Sequence, residues 1–136
     1  MTMSSTEVVR KLFETAVAGD FEALKQYLHP DVRVNEAESL PYGGVYVGID
    51  QMVALNAHVF SFWTDFSITV KQLFGEGEWV TALTEMQGKA RTTGLAFKMP
   101  LSEVFRVKDG KIVEITPYYF DTKLLCDAMQ GTGGKT

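Results

Sequence analysis

Residues 95–119 read LAFKMPLSEVFRVKDGKIVEITPYY, and this stretch decides the fold. Apolar and polar side chains alternate on both sides of the turn signal Asp109-Gly110, which is the period of a β-strand and not of a helix. The stretch therefore predicts two long antiparallel strands, 95–108 and 111–119, joined as a hairpin.

The rest of the sequence adds further strands, three helices and a last helical turn. Two more strands, 65–74 and 78–90, meet at the glycine-containing turn 75–77. Earlier, Val32 and Val34 alternate with polar neighbours in a first strand, and residues 45–47 fit a short one. Apolar residues at helical spacing predict one helix after Ser4 that ends at Gly19, a second from Asp20 that Pro30 stops, a third over 49–63, and a last turn near 124–129.

This order of elements defines the α+β class. Successive hairpins form a curved antiparallel sheet, and helices cover one of its faces, so we expect a cone-shaped domain. Because three helices do not fill the concave face of a strongly bent sheet, we also expect a central pocket. The domain is predicted to span residues 1–130, and residues 131–136 to form a flexible C-terminal tail.

Composition and charge argue against several classes of function. The 136 residues carry a net charge of −4, which provides no basic field for nucleic acid. Apolar runs are far shorter than the ~20 residues of a membrane span, and the start lacks a secretory signal, so we expect a cytoplasmic protein. With one cysteine, Cys126, and two histidines, His29 and His58, no metal site is predicted. No glycine-rich loop precedes a helix, so no nucleotide cofactor is expected.

A carboxylate interrupts the apolar face of the predicted strand 95–108. Five apolar residues share this face: Phe97, Met99, Leu101, Phe105 and Val107. Glu103 is the sixth member of the series. A lone carboxylate in an apolar setting is costly to ionise, so it has either a raised pKa or a partner. Glu103 is therefore a candidate acid or base, or else one half of an ion pair with Arg91 or Arg106.

Two further carboxylates continue apolar faces at the ends of strands. Glu36 continues the face of Val34, and Asp121 continues the face of Ile115 and Tyr119. Two interpretations stay open. In the first, Glu36, Glu103 and Asp121 converge on one cavity and transfer protons there. In the second, the strand ends emerge into water, and Glu36 and Asp121 are the first solvated residues beyond the core.

Five apolar or aromatic residues are predicted to contact a ligand in the pocket. They are Phe60, Trp63, Met99, Leu101 and Tyr119. Tyr119 follows Tyr118 and so points to the opposite face of its strand, which makes it the preferred pocket residue of the pair. Phe60 and Trp63, on the predicted third helix, are either wall residues or plain core.

Several segments of the chain resemble the SnoaL-like branch of the nuclear transport factor two-like superfamily. They are AGDFEAL at 18–24, LHPDV at 28–32, PYGGVYVG at 41–48, and FRVKDGKI at 105–112 with PYYFD at 117–121. The resemblance covers nearly the whole chain and implies a fold that hosts isomerases, dehydratases, hydrolases, cyclases and plain binders. It also implies a homodimer, because related domains commonly pair through the outer face of the sheet.

The resemblance also implies roles for individual residues. Glu36 falls where ketosteroid isomerase carries its general-base aspartate, and Glu103 falls where that enzyme keeps a protonated aspartate in its oxyanion hole. Leu12 replaces the first-helix tyrosine of that oxyanion hole, which argues against a steroid isomerase. Asp121 is similar in position to the acidic residue that SnoaL-type polyketide cyclases use as acid or base.

These observations lead to two hypotheses about function. The first is a cofactor-independent enzyme that moves a proton on a small, mostly apolar molecule bearing a carbonyl or hydroxyl group, as an isomerase, cyclase or dehydratase. Glu36 is then the base, and Glu103 or Asp121 the acid. The second is a non-catalytic ligand-binding or dimerisation module, in which the same carboxylates orient a ligand or form structural pairs. A carboxylate that titrates near neutral pH favours the enzyme.

Overall fold

A computed structural model of the protein describes residues 3–131. Along the chain the elements are α1 (Ser5–Val17), α2 (Phe21–Lys25), β1 (Leu28–Glu36), β2 (Gly44–Val47), α3 (Ile49–Phe60), β3 (Trp63–Glu76), β4 (Trp79–Ala90), β5 (Ala96–Lys108), β6 (Lys111–Tyr119) and α4 (Thr122–Gln130). The predicted α+β class is confirmed. Of the predicted tail, residues 132–136 lie outside the described residues. Within residues 3–131, every helix falls short of the length and apolar character that a membrane crossing needs.

The strands form one curved, unclosed sheet in the order β2-β1-β6-β5-β4-β3. Four of the five neighbouring pairs are antiparallel, as predicted. The exception is the pair of β1 and β6, which run parallel, so the sheet is mixed. This pair joins the first strand of the chain to the last one. It therefore places the end of β1 beside the end of the hairpin that the sequence predicted.

Helix α1 begins and ends where the sequence predicts. The Ser4 hydroxyl accepts a hydrogen bond from the Glu7 amide at 3.1 Å, which satisfies one of the free amides of the first turn. At the other end Gly19 adopts a φ of 74°, in the left-handed region that glycine tolerates best. The amide of Gly19 donates to the Ala16 carbonyl and that of Asp20 to the Thr15 carbonyl, which closes the last turn.

Helix α2 is shorter than predicted. It ends at Lys25, and Leu28 already belongs to β1. The Tyr27 carbonyl accepts a hydrogen bond from the amide of Ile112 on β6, so pairing with a distant strand ends the helix before Pro30 does. Pro30 lies inside β1, where the register with β6 is irregular and no ladder hydrogen bond is required of it.

Helix α3 ends at Phe60, three residues before the predicted end, and Trp63 opens β3. Two apolar residues of α3 are largely exposed, because Val53 is 50% exposed and Phe60 is 46% exposed. The helix instead buries Leu55 against the sheet. The apolar side chains of α3 therefore divide between the core and an open surface.

Candidate active site

A cavity of about 200 Å³ lies between the helices and the concave face of the sheet. Its apolar lining includes Leu12 and Ala16 of α1, Met52 and Leu55 of α3, and Val34 and Phe105 of the sheet. Three polar side chains also reach it: Glu36, Glu103 and Asn56. The cavity is thus an apolar chamber with two carboxyl groups and one amide.

The cavity opens beside Glu103 because small residues flank it in the sheet. Its partner on β4 is Ala82 and its partner on β6 is Pro117. The next inward-facing residue toward the C-terminal end of β5, Phe105, pairs with the larger residues Val80 and Ile115. The carboxyl group of Glu103 therefore stands over a gap that larger neighbours would close.

Glu103 has no partner of its own. Among residues 3–131 it makes neither a hydrogen bond nor an ion pair, so the ion pair considered from the sequence is wrong. Arg106 instead pairs with Glu78, with 2.9 Å between Nε and Oε1. Arg91 donates from Nε to the Phe60 carbonyl at 3.1 Å. Every fully buried side-chain oxygen among the described residues has a hydrogen-bond partner. The Glu103 carboxyl oxygens have none, so they are not fully buried, and they face the cavity that Glu103 lines.

Glu36 lies at the end of β1 and is held by a hydrogen bond. The Tyr119 hydroxyl donates to its Oε1 at 2.6 Å. Burial raises the pKa of Glu36, while the hydrogen bonds from the Tyr119 hydroxyl and the Ala37 amide oppose that rise. The same burial and the nearby Glu36 charge raise the pKa of Tyr119, so its hydroxyl stays a proton donor.

The two glutamates respond differently to the cavity. Burial first, and then the negative charge of Glu36, raise the pKa of Glu103 to about 7. Glu103 has no hydrogen bond to oppose this shift, whereas Glu36 has two. Burial therefore raises the pKa of both carboxyl groups, but hydrogen bonds oppose the rise only at Glu36.

Asp121 does not reach this cavity. Its exposed side chain caps α4, where Oδ1 accepts a hydrogen bond from the Leu124 amide at 3.2 Å. The expected convergence of three carboxylates is corrected to two, because the chain leaves the sheet after Tyr119 and turns into α4. A helix N-terminus attracts a carboxylate for reasons of its own, and this accounts for Asp121.

The predicted ligand contacts are also corrected. Trp63, Met99 and Leu101 are buried in the core and do not line the cavity. Helix α4, where the sequence predicted only a brief helical turn, packs against β4 and β5. Tyr119 contacts Glu36 and not the cavity itself. Phe60 lines a neighbouring groove between α2 and α3.

Sequence reasoning missed the wall that the helices provide. Ala16 of α1 and Met52 of α3 line the cavity, although their spacing indicated only an apolar helix face. Leu12 of α1 also lines it, at the position that the resemblance implied. Asn56 had no signal beyond being a polar residue next to the buried Leu55. Among residues 3–131 no group of three or more His, Cys, Asp and Glu side chains is arranged to hold a metal ion.

The fold and the cavity together define an α+β cone with an acidic pair inside it, and comparison with known proteins identifies the family. A sequence model described as the SnoaL-like domain matches residues 9–115. The chain therefore belongs to the SnoaL-like domain family, and the resemblance found in the sequence is confirmed. No curated protein sequence matches the chain.

Solved structures agree with this assignment. The chain is similar to an NTF2-like protein from Burkholderia thailandensis E264, with a TM-score of 0.89 and 25% identity over 95% of this chain and 99% of that one. It is similar in fold to a putative SnoaL-like polyketide cyclase from Jannaschia sp. CCS1, with a TM-score of 0.81 and 19% identity over 95% and 93%. A protein with a ketosteroid isomerase-like fold from Catenulispora acidiphila DSM 44928, in complex with trimethylamine, gives a TM-score of 0.76 and 17% identity over 96% of each chain.

The position of Asp121 predicts a role in stability alone. Asp121→Ala removes the cap of α4 and is expected to lower the free energy of unfolding by about 1 kcal/mol in urea denaturation. Asp121→Asn keeps a capping oxygen while losing the charge, so its stability stays near that of the wild type. Ligand binding at the cavity is expected to be unchanged in both variants, and a loss in both would return Asp121 to the site.

The raised pKa of Glu103 predicts a specific dependence of stability on pH. The folded protein holds the Glu103 proton from its ordinary pKa of 4.5 up to about 7, where the unfolded chain has lost it. Wild-type stability therefore falls as pH rises through this window, by roughly 3 kcal/mol at most.

Glu103→Gln removes that fall, because its side chain carries no titrating proton. Urea unfolding is expected to give the variant the higher free energy of unfolding at about pH 8 and little advantage at about pH 4. Glu85→Gln, on the outer face of the sheet, serves as the matched control. Parallel pH profiles for the wild type and Glu103→Gln would contradict the buried, unpaired state of Glu103.

Proposed function

We propose that this SnoaL-like domain is an enzyme that transfers a proton on a small, mostly apolar molecule bearing a carbonyl or hydroxyl group, without a cofactor. The reaction is an isomerisation, cyclisation or dehydration. One observation carries the proposal: an ionisable base with supporting hydrogen bonds and an unpaired acid share one apolar cavity. A base beside a neutral acid is one arrangement by which enzymes abstract a proton next to a carbonyl.

In the proposed reaction Glu36 takes a proton from the carbon next to the substrate carbonyl. The electron pair of the broken C–H bond moves into an enol or enolate, and protonated Glu103 stabilises its oxygen by donating a hydrogen bond. Glu36 then returns the proton to the same carbon or to another one along the conjugated chain. The apolar walls exclude water, which strengthens both interactions.

Tyr119 supports the base from outside the cavity. Its hydroxyl donates to Oε1 of Glu36 at 2.6 Å and so helps to orient the carboxylate. The donor set differs from that of ketosteroid isomerase at α1, where Leu12 has no hydroxyl. Asn56 is the second polar donor that lines the cavity, and it lies on α3. A steroid is therefore not the substrate that we propose.

Exchange of carbon-bound protons tests the proposal without knowledge of the natural substrate. Pentanone in D₂O is incubated with the protein, and loss of the proton signals next to the carbonyl is followed by NMR. The wild type is expected to accelerate exchange, and Glu36→Gln to lower the accelerated rate by about 100-fold or more.

Glu38→Gln is the matched control for this experiment, because Glu38 is an exposed carboxylate in the loop after β1. Its exchange rate is expected to equal that of the wild type. Pentanone that binds but does not exchange would favour the alternative, a non-catalytic ligand-binding module of the same fold. Equal rates for Glu36→Gln and the wild type would remove Glu36 as the base.

We also propose that two copies of the chain pair through the outer face of the sheet. Exposed apolar side chains lie there in register, with Leu83 of β4 and Tyr118 of β6 both opposite Ser102 of β5. Leu83 is 37% exposed and Tyr118 is 60% exposed. In a neighbouring row of the same face, Val104 lies opposite Thr81 and is half-buried. An apolar surface of this kind is typical of a contact between subunits.

Sedimentation equilibrium tests this pairing. The wild type is expected to be a dimer, and Leu83→Glu is expected to be a monomer, because it places two charges across the contact. Val17→Glu changes an exposed apolar residue at the end of α1 and is expected to leave the dimer intact. A monomeric wild type, or equal masses for both variants, would contradict the proposed contact.

A further inference from the structure

A second cavity lies next to the acidic one, in a groove between α2 and α3. Its volume is about 310 Å³, and its apolar lining includes Phe21, Leu28, Ile49, Val53 and Phe60. The single charged residue in this lining is Lys25, which pairs with Glu22 at 3.1 Å. The groove is therefore larger than the acidic cavity and holds no carboxyl group of its own.

The two cavities share a wall. Leu24 of α2 and Met52 and Asn56 of α3 line both of them. The same three side chains border both spaces, so the groove and the acidic cavity are adjacent. A ligand longer than the acidic cavity would reach the groove between these three side chains.

Three apolar side chains at the rim of the groove are largely exposed to water. Phe21 is 59% exposed, Val53 is 50% exposed and Phe60 is 46% exposed. No other part of residues 3–131 covers them. Burying such side chains is favourable in proportion to the apolar area removed from water, so the groove favours an apolar occupant.

We propose that the groove binds the apolar tail of the same substrate whose carbonyl or hydroxyl group reaches Glu36 and Glu103. This inference rests on the proposed function and adds the class of substrate to it: a molecule with a small oxygen-bearing head and an extended apolar tail. Asn56 lies where head and tail meet, and its amide can hydrogen-bond an oxygen at that point. Because the groove has no carboxyl group, the oxygen-bearing head of the substrate lies in the acidic cavity and its apolar tail in the groove.

Straight-chain methyl ketones from pentanone to decanone test this inference. Alanine methyl groups report on both cavities, since Ala16 lines only the acidic one and Ala57 lines only the groove. In NMR titrations pentanone is expected to shift the Ala16 signal alone, and decanone to shift both. The Kd of the ketone is expected to fall by about fourfold for each added methylene.

Two substitutions on α3 provide a matched pair. Ala57→Phe fills the groove, whereas Ala54→Phe adds the same group at an exposed position that lines neither cavity. Ala57→Phe is expected to weaken decanone at least tenfold while leaving pentanone unchanged. Ala54→Phe is expected to bind both ketones as the wild type does.

The outcomes separate this inference from the proposed function. If decanone binds in the groove but the protein does not accelerate proton exchange, the groove assignment stands and the catalytic proposal is overturned. Exchange of pentanone with a Kd that does not depend on chain length would keep the catalysis and overturn the groove. Absence of binding throughout the series, or equal effects of the two α3 substitutions, would also overturn it. A change of oligomeric state in Ala57→Phe would assign the groove to a second copy of the chain instead.

Discussion

The structure depends on one constraint, the burial of the Glu103 carboxyl group on the inner face of β5. Every other inward residue of that strand is apolar, and a carboxyl group cannot pack among them without losing its hydration. The fold accommodates it by pairing Glu103 with Ala82 and Pro117, which leave open space above the sheet. The cavity and the raised pKa of Glu103 therefore have a common origin.

The position of the second glutamate, Glu36, depends on the backbone of the loop that follows β1. The loop after β1 turns back on itself, and a Cβ atom at Gly43 would lie 2.3 Å from the Ala37 carbonyl oxygen. Only glycine allows the loop to approach so closely, directly after Glu36. Tyr119 then holds the Glu36 carboxyl group from β6, which is the parallel neighbour of β1. Glu103 thus depends on β5, and Glu36 on a glycine loop and a parallel strand pair.

Local patterns predicted the parts of the site that lie within one strand. Alternation placed Glu103 and Glu36 on inward faces, because the period of two needs no knowledge of the neighbouring strands. Residues whose position depends on distant contacts were not predictable in this way. Pairing with β6 ended α2 before Pro30, and α4, which is longer than the predicted turn, packs against β4 and β5. Asp121 continues the alternation of β6, but its side chain caps α4, the helix that follows.

The free energy of Glu103 is itself an argument for function. A carboxyl group whose pKa rises to about 7 destabilises the folded state above that pH, and an apolar side chain of similar size would not. No ion pair or hydrogen bond among residues 3–131 offsets this cost. The negative charge of Glu36 adds to this cost. Glu36 lines the same cavity and keeps its own hydrogen bonds. Burial raises the pKa of both carboxyl groups, but only Glu36 has hydrogen bonds that oppose the rise. A difference of this kind is what sets an acid and a base apart within one cavity.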